Sequence, residues 1–589
     1  MAYLYFWGEQ PKSEIPDMTK MEVVADTLIS KADTSKISAL PDSLVSKQHI
    51  EKFADFAVGA TGKEEDIVLE NKDIQVTVST KGAYVKKVLL KNYFTWDKKP
   101  LYLIDQKTSN IDLKINAYNK EINLSELYYS PNLSKTADSQ TVTFKLELAG
   151  GKSIEHIYSL NKEGFLLNYN LRETGLDNAI RNVPLLYSWK SNLPNLEYDL
   201  KQSRDRSTVN YYLADGSHDF LTEASTDEQF SKLESAVKWV SLKNKFFNSA
   251  IIAKNTFEGG DVKSKVFAYD SSSSKYVEAN LFIPVGDLKT GKANYTYFFG
   301  PNKYDICNGV TDGFEENVNL GWPVIKWINR FVVIPVFNFL SSFIANYGII
   351  IIILVLLLKL ILFPLSYKSY VAMAKMKVMK PELDELKAKY PDDMQKQQSE
   401  QMQLYQKVGI NPLSGCIPVL LQMPILLAMF SFFPNSIELR GESFLWATDL
   451  STYDHPIMLP FEIPFYGSHV SIFTLFMTIS TLVYTWFNNQ MSTVQGPMKI
   501  VSYVMPVVFM FVLNSFPAGL SFYYFVSNIV TIGQQVIIRR FVDEDQIKLK
   551  LEENRKANVE GTGTGKKSKF MQRLDDAMKA QEELKKKKK

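Results

Sequence analysis

From Ile349 to Leu365 the chain is apolar with one exception: Lys359, set inside "LVLLLKLILFPL". A run this oily does not suit a soluble helix, and its length matches a hydrocarbon core of about 30 Å. A lysine near the centre of such a span costs about 2.5–3.5 kcal/mol on insertion scales. The charge must therefore be compensated, or it must be used.

Four further apolar stretches follow, so five spans are expected at 347–366, 415–433, 469–487, 499–513 and 517–538. Only "NSFP" separates the last two, which predicts a tight antiparallel pair. Between the first and second spans, residues 368–413 carry eight Lys against six Asp and Glu and divide at Pro391 into two helix-like halves. That pattern predicts a helical hairpin standing off the membrane. The loop 435–468 is the reverse, with five acidic residues and one Arg. Positive charge stays on the cytoplasmic side, which places the hairpin and the basic tail 542–589, ending "LKKKKK", in the cytoplasm. Five spans with a cytoplasmic C-terminus leave everything before residue 346 outside.

That outer part reads as soluble. Over 65–318 short β-branched and aromatic runs ("DIVLE", "IQVTVST", "TVTFKLEL", "FLLNYNL", "KFFNSAIIA", "KVFAYD", "YVEANLFI", "YTYFFG") alternate with turn residues, predicting a large antiparallel β-sandwich. Residues 8–64 read as a polar linker or loosely helical tether. "MAYLYFW" (1–7) reads as the remnant of a transmembrane anchor whose beginning is missing. Residues 319–345, with Trp322, Lys326, Arg330 and Pro335, read as an amphipathic helix lying in the headgroup region, with a sixth span as the alternative. The two cysteines, Cys307 and Cys416, and five scattered histidines form no metal-binding or disulfide pattern, and neither a metal nor a cofactor is expected. His156 and His218 are isolated, and "GTGTGKK" (561–567) lacks the Gly, the Ser or Thr and the preceding strand of a phosphate-binding loop. No catalytic centre is expected.

Within the spans, polar residues recur at helical spacing. Ser471, Thr474, Thr478, Thr481 and Thr485 share one face of the third span; Ser521, Tyr524, Asn528, Thr531 and Gln535 share one face of the fifth. Gln422 lies deep in the second. Such stripes can be interhelical glue. No Asp or Glu occurs inside any span, however, and an intramembrane charge usually faces a partner or a wet cavity. The combination predicts a hydrophilic hollow holding one unpaired positive charge.

"PLSYKSYVAMAKMKVMKPELDELKAKY", "NPLSGCIPVLLQMPILLAMFSFF", "SIELRGESFLWATDLS" and "FPAGLSFYYFVSNIVTIGQQ" occur in that order. Over about 345–541 the chain resembles the YidC membrane-protein insertases, relatives of the Oxa and Alb proteins. "WVSLKNKFFNSAIIA", within a large outer β-domain, is similar to the Gram-negative form, whose periplasmic sandwich is galactose-mutarotase-like. The resemblance implies an insertase and chaperone of the bacterial inner membrane, acting through a groove open to cytoplasm and lipid. It implies nascent membrane proteins as clients, and as partners the Sec translocon (SecYEG, SecDF), the ribosome and signal recognition machinery, and membrane lipids, with no specific DNA binding. By alignment on "FPL", Lys359 takes the place of the family's groove Arg, keeping the charge without the bidentate fork. Val355 stands where some relatives have a groove Thr. Gln422 and Tyr524 match groove-lining positions, and Met423 matches a position that meets substrate. With the stripes, the implied groove is Lys359, Gln422, Met423, Thr474, Thr478, Thr481, Ser521, Tyr524, Asn528 and Thr531. The rival reading of the same stripes is a solute path through a transporter or channel.

Overall fold

The computed structural model describes residues 42–391, 393–410, 417–491 and 497–559. The anchor remnant at 1–7, the linker up to residue 41 and the tail from residue 560 lie outside them. From Asp42 onward the stretch expected to be a linker or loosely helical tether is helical and packed rather than loose. Helix α1 (Asp42–Phe53) and a 3-10 turn (Ala54–Gly59) dock on the β-domain. Phe53 and Phe56, two apolar anchors that the polar composition hid, are buried in its core.

The β-domain consists of antiparallel sheets of four, nine and six strands spanning Asp66–Pro301. Period-two burial runs along the strands, for example alternating buried and half-buried positions over Ile111–Ala117, as a sandwich with one dry face per sheet requires. Tyr187 of the six-stranded sheet and Tyr297 of the nine-stranded sheet meet hydroxyl to hydroxyl at 3.0 Å inside the core. "KVFAYD" is corrected: the strand Gly260–Lys265 ends as that segment begins. Asp270 then turns the chain by accepting from the Ser272 amide at 2.9 Å, and local side-chain capping of this kind outcompetes a strand.

Helix α2 (Pro323–Ser341) is continuous through a π-turn at Asn329–Val333, which accommodates Pro335 and its missing N–H. Among the described residues α2 is the one single helix long and apolar enough to cross a membrane by length and composition. By that measure the alternative of a sixth span stays open beside the interfacial reading. Both of its ends are nevertheless tied to the β-domain: Lys326 pairs with Glu316, and the Asn338 amide donates to Asp305 at 2.7 Å. A helix holding one domain at positions twelve residues apart, about 18 Å at 1.5 Å per residue, runs along that domain rather than away from it.

The expected span 347–366 contains a sharp bend. Helix α3 (Tyr347–Ile361) stops there, and α4 (Phe363–Val378) departs at 61°. Pro364 sits in the first turn of α4, where its missing N–H costs nothing. Helices α5 (Lys380–Lys389) and α6 (Met394–Lys407) then fold against one another. Helices α7 (Ile417–Asn435), α8 (Ile472–Met491), α9 (Pro497–Leu513) and α10 (Ala518–Phe541) follow. The basic tail is not all loose chain: α11 (Glu544–Val559) docks on the α5/α6 hairpin, where Leu551 is buried with Leu383 and Tyr405 and Arg555 pairs with Glu382.

Side chains from the β-domain clasp the helical region. Arg440 Nε donates to both Glu197 oxygens at 2.8 and 2.9 Å, and both side chains are buried. Gln202 donates to the Ser515 carbonyl at 2.6 Å, and Arg206 to Asn435 at 3.0 Å. These bonds fix which end of the helical bundle faces the β-domain.

Candidate functional site

Helices α8 and α10 pack side by side with their polar stripes facing. Burial along the stripes is uneven. Toward the β-domain, Ser471, Thr474, Thr478 and Ser521 are all buried. Toward the opposite end, Thr481, Tyr484, Asn488, Asn528, Thr531, Gln534 and Gln535 are half-buried. One seam is therefore dry at one end and partly open at the other.

The dry end is closed by a buried carboxylate and a buried amide. Asp454 accepts from Trp446 Nε1 at 2.8 Å, from the amides of Ile472 and Phe473 at 2.9 and 3.1 Å, and from the Ser471 hydroxyl. It thereby satisfies orphan N–H groups at the start of α8, where a negative charge is also favoured by the helix dipole. Asn514 accepts from the Ser471 amide at 2.9 Å and donates to the carbonyls of Tyr466 and His469. Thr474 and Ser521 share a hydrogen bond at 3.0 Å, and Thr478 donates to its own helix at the Thr474 carbonyl. These three expected groove residues lie in the helix–helix seam and not on an open surface, because their hydroxyls are consumed by neighbouring backbone and one another.

At the other end Asn528 donates to Ser480 at 3.0 Å and to Thr481 at 2.8 Å, and Gln535 to Asn488 at 3.3 Å. A cavity of about 70 Å³ opens here, lined by Ser366, Gln422, Tyr484, Asn488, Thr531 and Gln534 among others. Its polar walls and its volume, well above the roughly 10–15 Å³ that one water needs, suit ordered water. Of the expected residues, Gln422 and Thr531 line it. Asn488 and Gln534 were missed. Asn488 continues the α8 stripe three residues past Thr485, so the same periodicity extended by one turn finds it; Gln534 lies one residue before Gln535, the end of the α10 stripe, and the wider polar face at that end of the helix is what adds it.

Lys359 lies in the last turn of α3 and is buried. The C-terminal helix dipole favours a cation there by about 0.3–1 kcal/mol, less than the cost of placing it in a span. No carboxylate among the described residues pairs with it. Gln534 donates to its main-chain carbonyl at 3.1 Å, which links the lysine's backbone to the cavity wall. Tyr524 packs against Phe430 with ring centroids 5.4 Å apart, and its hydroxyl is buried without a partner. It stands beside α7 rather than on the cavity. Met423 is exposed on the outer face of α7, as is Leu427. Around the bundle Leu356, Leu360, Ile361, Ile479, Val483, Ile529 and Val536 are exposed as well, with most of α9, an apolar girdle that suits lipid.

Residues 339–545 match the family described as "60Kd inner membrane protein", and residues 66–334 match "YidC periplasmic domain". The membrane protein insertase YidC of Cytophaga hutchinsonii is 54% identical over 592 residues, 98% of this chain and 94% of that protein. Among solved structures, an active YidC insertase with its first transmembrane domain resolved is 17% identical with a TM-score of 0.33, over 83% of this chain and 97% of that one. A galactose mutarotase related enzyme from Lactobacillus acidophilus is 16% identical with a TM-score of 0.24, over 40% of this chain and 97% of that one.

Proposed function

The chain belongs to the YidC family of membrane protein insertases, and we propose that it moves hydrophobic segments of newly made proteins into the bacterial inner membrane through the half-open polar seam beside Lys359. The observation that carries this reading is the burial gradient: one seam, plugged at the β-domain end by Asp454 and Asn514 and half-open, with a polar cavity, at the other.

With the β-domain periplasmic, the open end faces the cytoplasm. A segment's polar flank dragged directly through about 30 Å of hydrocarbon would lose its hydration. Water at Thr531, Gln534 and Asn488 shortens that path, and Lys359 attracts flanks bearing Asp or Glu. The apolar part leaves sideways over Met423 and Leu427 of α7 or Ile529 and Val536 of α10, and hydrophobic transfer into lipid drives the step. Because both ends of α2 are bonded to the β-domain, α2 lies along the periplasmic surface. The α5/α6 hairpin, with Lys368, Lys375 and Lys377 of the adjoining α4, is the surface assigned to the ribosome, signal recognition machinery or acidic headgroups, and SecYEG with SecDF are the partners for clients that need a translocon.

The test is site-specific photo-crosslinking to a ribosome-bound single-span nascent chain. Probes at Gln422 and Thr531 are expected to capture it, while a probe at Thr474 is expected to stay silent. Equal capture at Thr474 would remove the one-sided groove.

A further inference from the structure

We propose that the cleft where the β-domain, α2 and α7 meet holds the headgroup of a zwitterionic phospholipid from the outer leaflet, binding its phosphate and its ammonium together. The cleft encloses about 520 Å³, within the roughly 300–1,000 Å³ typical of small-molecule sites. One wall carries two oppositely charged pairs, Lys243 with Glu223 and Lys326 with Glu316. The other is apolar, with Trp322, Leu427 and Phe430. His218 also reaches the cleft, and its Nε2 is buried without a hydrogen-bond partner.

These features select the ligand class. Two ammonium and two carboxylate groups sum to zero, so the cleft offers a complement to each half of a zwitterion and no net attraction to an anion. The Lys243–Glu223 pair is nearly sealed, whereas the Lys326 and Glu316 side chains are 28% and 30% exposed. The exposed pair can exchange partners: Lys326 takes the phosphate, Glu316 takes the ammonium, and His218 supplies a further hydrogen bond. Trp322 and Leu427 of the apolar wall are themselves exposed at its rim, where acyl chains would lie. An anionic headgroup would leave Glu316 facing a negative charge. This inference rests on the reading that the β-domain sits against the outer leaflet.

Native mass spectrometry of the full chain, purified in detergent and stripped of lipid, tests it with phosphatidylethanolamine and phosphatidylglycerol added separately. One phosphatidylethanolamine is expected to be retained at least fivefold over phosphatidylglycerol. Lys326→Ala is expected to abolish retention, and Glu316→Gln to erase the preference by removing the ammonium's partner. Leu427→Trp fills the apolar wall without touching either ion pair, and it is expected to abolish retention even if the charge variants fold poorly. Equal retention of both lipids by the unaltered chain, or retention unchanged in Leu427→Trp, overturns the proposal. The readout contains no insertion step, so failure of the insertase reading and failure of this one are separable.

Discussion

The side-chain amide of Gln534 donates to the main-chain carbonyl of Lys359 across 3.1 Å. That carbonyl belongs to the last turn of α3, where the helix itself supplies no acceptor's partner because α3 ends at Ile361. Helix α10 thus finishes α3 and fixes the backbone from which the ammonium projects. The bond engages the lysine's main chain and not its ammonium.

Lys359→Ala is expected to lower insertion of acidic-flanked clients by about tenfold, and Lys359→Arg to stay within about twofold. An ion pair at about 4 Å is worth roughly 1 kcal/mol in water and 4 at an effective dielectric of 20, and tenfold is about 1.4 kcal/mol. Protease protection of a labelled single-span client in a depleted strain reads the difference. Unimpaired insertion by the alanine variant ends the role given to this charge.

The dry and wet halves of the seam should answer differently to substitution. Thr474→Val removes bonds to Ser521 and to the Leu513 carbonyl, costing about 0.6–1.7 kcal/mol by analogy with other membrane interhelical bonds while insertion continues. Asn528→Leu puts an apolar group in the hydrated half and should cut insertion severalfold with a similar stability loss. Melting temperature in detergent and insertion yield are measured on both. The opposite pattern would place the working surface at the β-domain end.

Asp454→Ala is the severest substitution expected in the plug. It orphans the Trp446 indole and two backbone amides at the start of α8 at once, and leaves the Ser471 hydroxyl with Thr474 alone. Each abandoned buried donor costs about 1–3 kcal/mol, so loss of folded protein in a detergent melt is expected. Asp454→Asn, which keeps an acceptor oxygen, should recover part of it. An alanine variant that melts with the parent would show that water serves this site.

Periodicity made the seam legible, because facing stripes at alternating spacings of three and four can only lie along two helix sides. It could not reveal which half is dry. That depends on Asp454 and Asn514, which come from the loop before α8 and the turn before α10 and meet only in the fold. The strands of the sandwich were legible where alternation is strong, as in Ile74–Ser79. Phe53 and Phe56 were not, since two anchors in a polar stretch produce no period. The bend after Ile361 was hidden for a similar reason: the apolar run continues through it, and only Pro364 marks the break.

A close packing contact yields a steric prediction. A Cβ on Gly348 would lie 2.1 Å from the Phe444 ring, and that ring packs on Phe522 of α10 at 4.9 Å. Gly348→Ala should destabilise the bundle by about 1–3 kcal/mol, the usual penalty for overpacking, seen as a lower melting temperature. Adding Phe444→Leu should recover part of the loss. No effect from the alanine alone would mean that α3 is free to shift at its start.

The last prediction concerns pH and the grip of the β-domain on the helices. Lys245 is buried, with its ammonium donating to Gln202 at 3.0 Å and to the Ser451 carbonyl at 3.3 Å. Burial, reinforced by the nearby Arg206 charge, lowers its pKa to about 8, against the opposing pull of Glu197, Asp199 and Asp449. Lys275 is lowered to about 8 as well, chiefly by burial. An unfolded lysine titrates near 10.4, so between about pH 8 and 10 the unfolded chain binds more protons than the native one, and stability rises with pH. Below pH 8 both states are protonated and the full cost of burying the charge is felt, roughly 3 kcal/mol for a shift of this size. Melting of the full chain in detergent should therefore move upward from pH 8 to 10, and Lys245→Met should reduce the rise to the share contributed by Lys275 while raising stability at pH 7. A melting temperature that falls over that window, in both the parent and the methionine variant, would mean that Lys245 carries its charge at no cost.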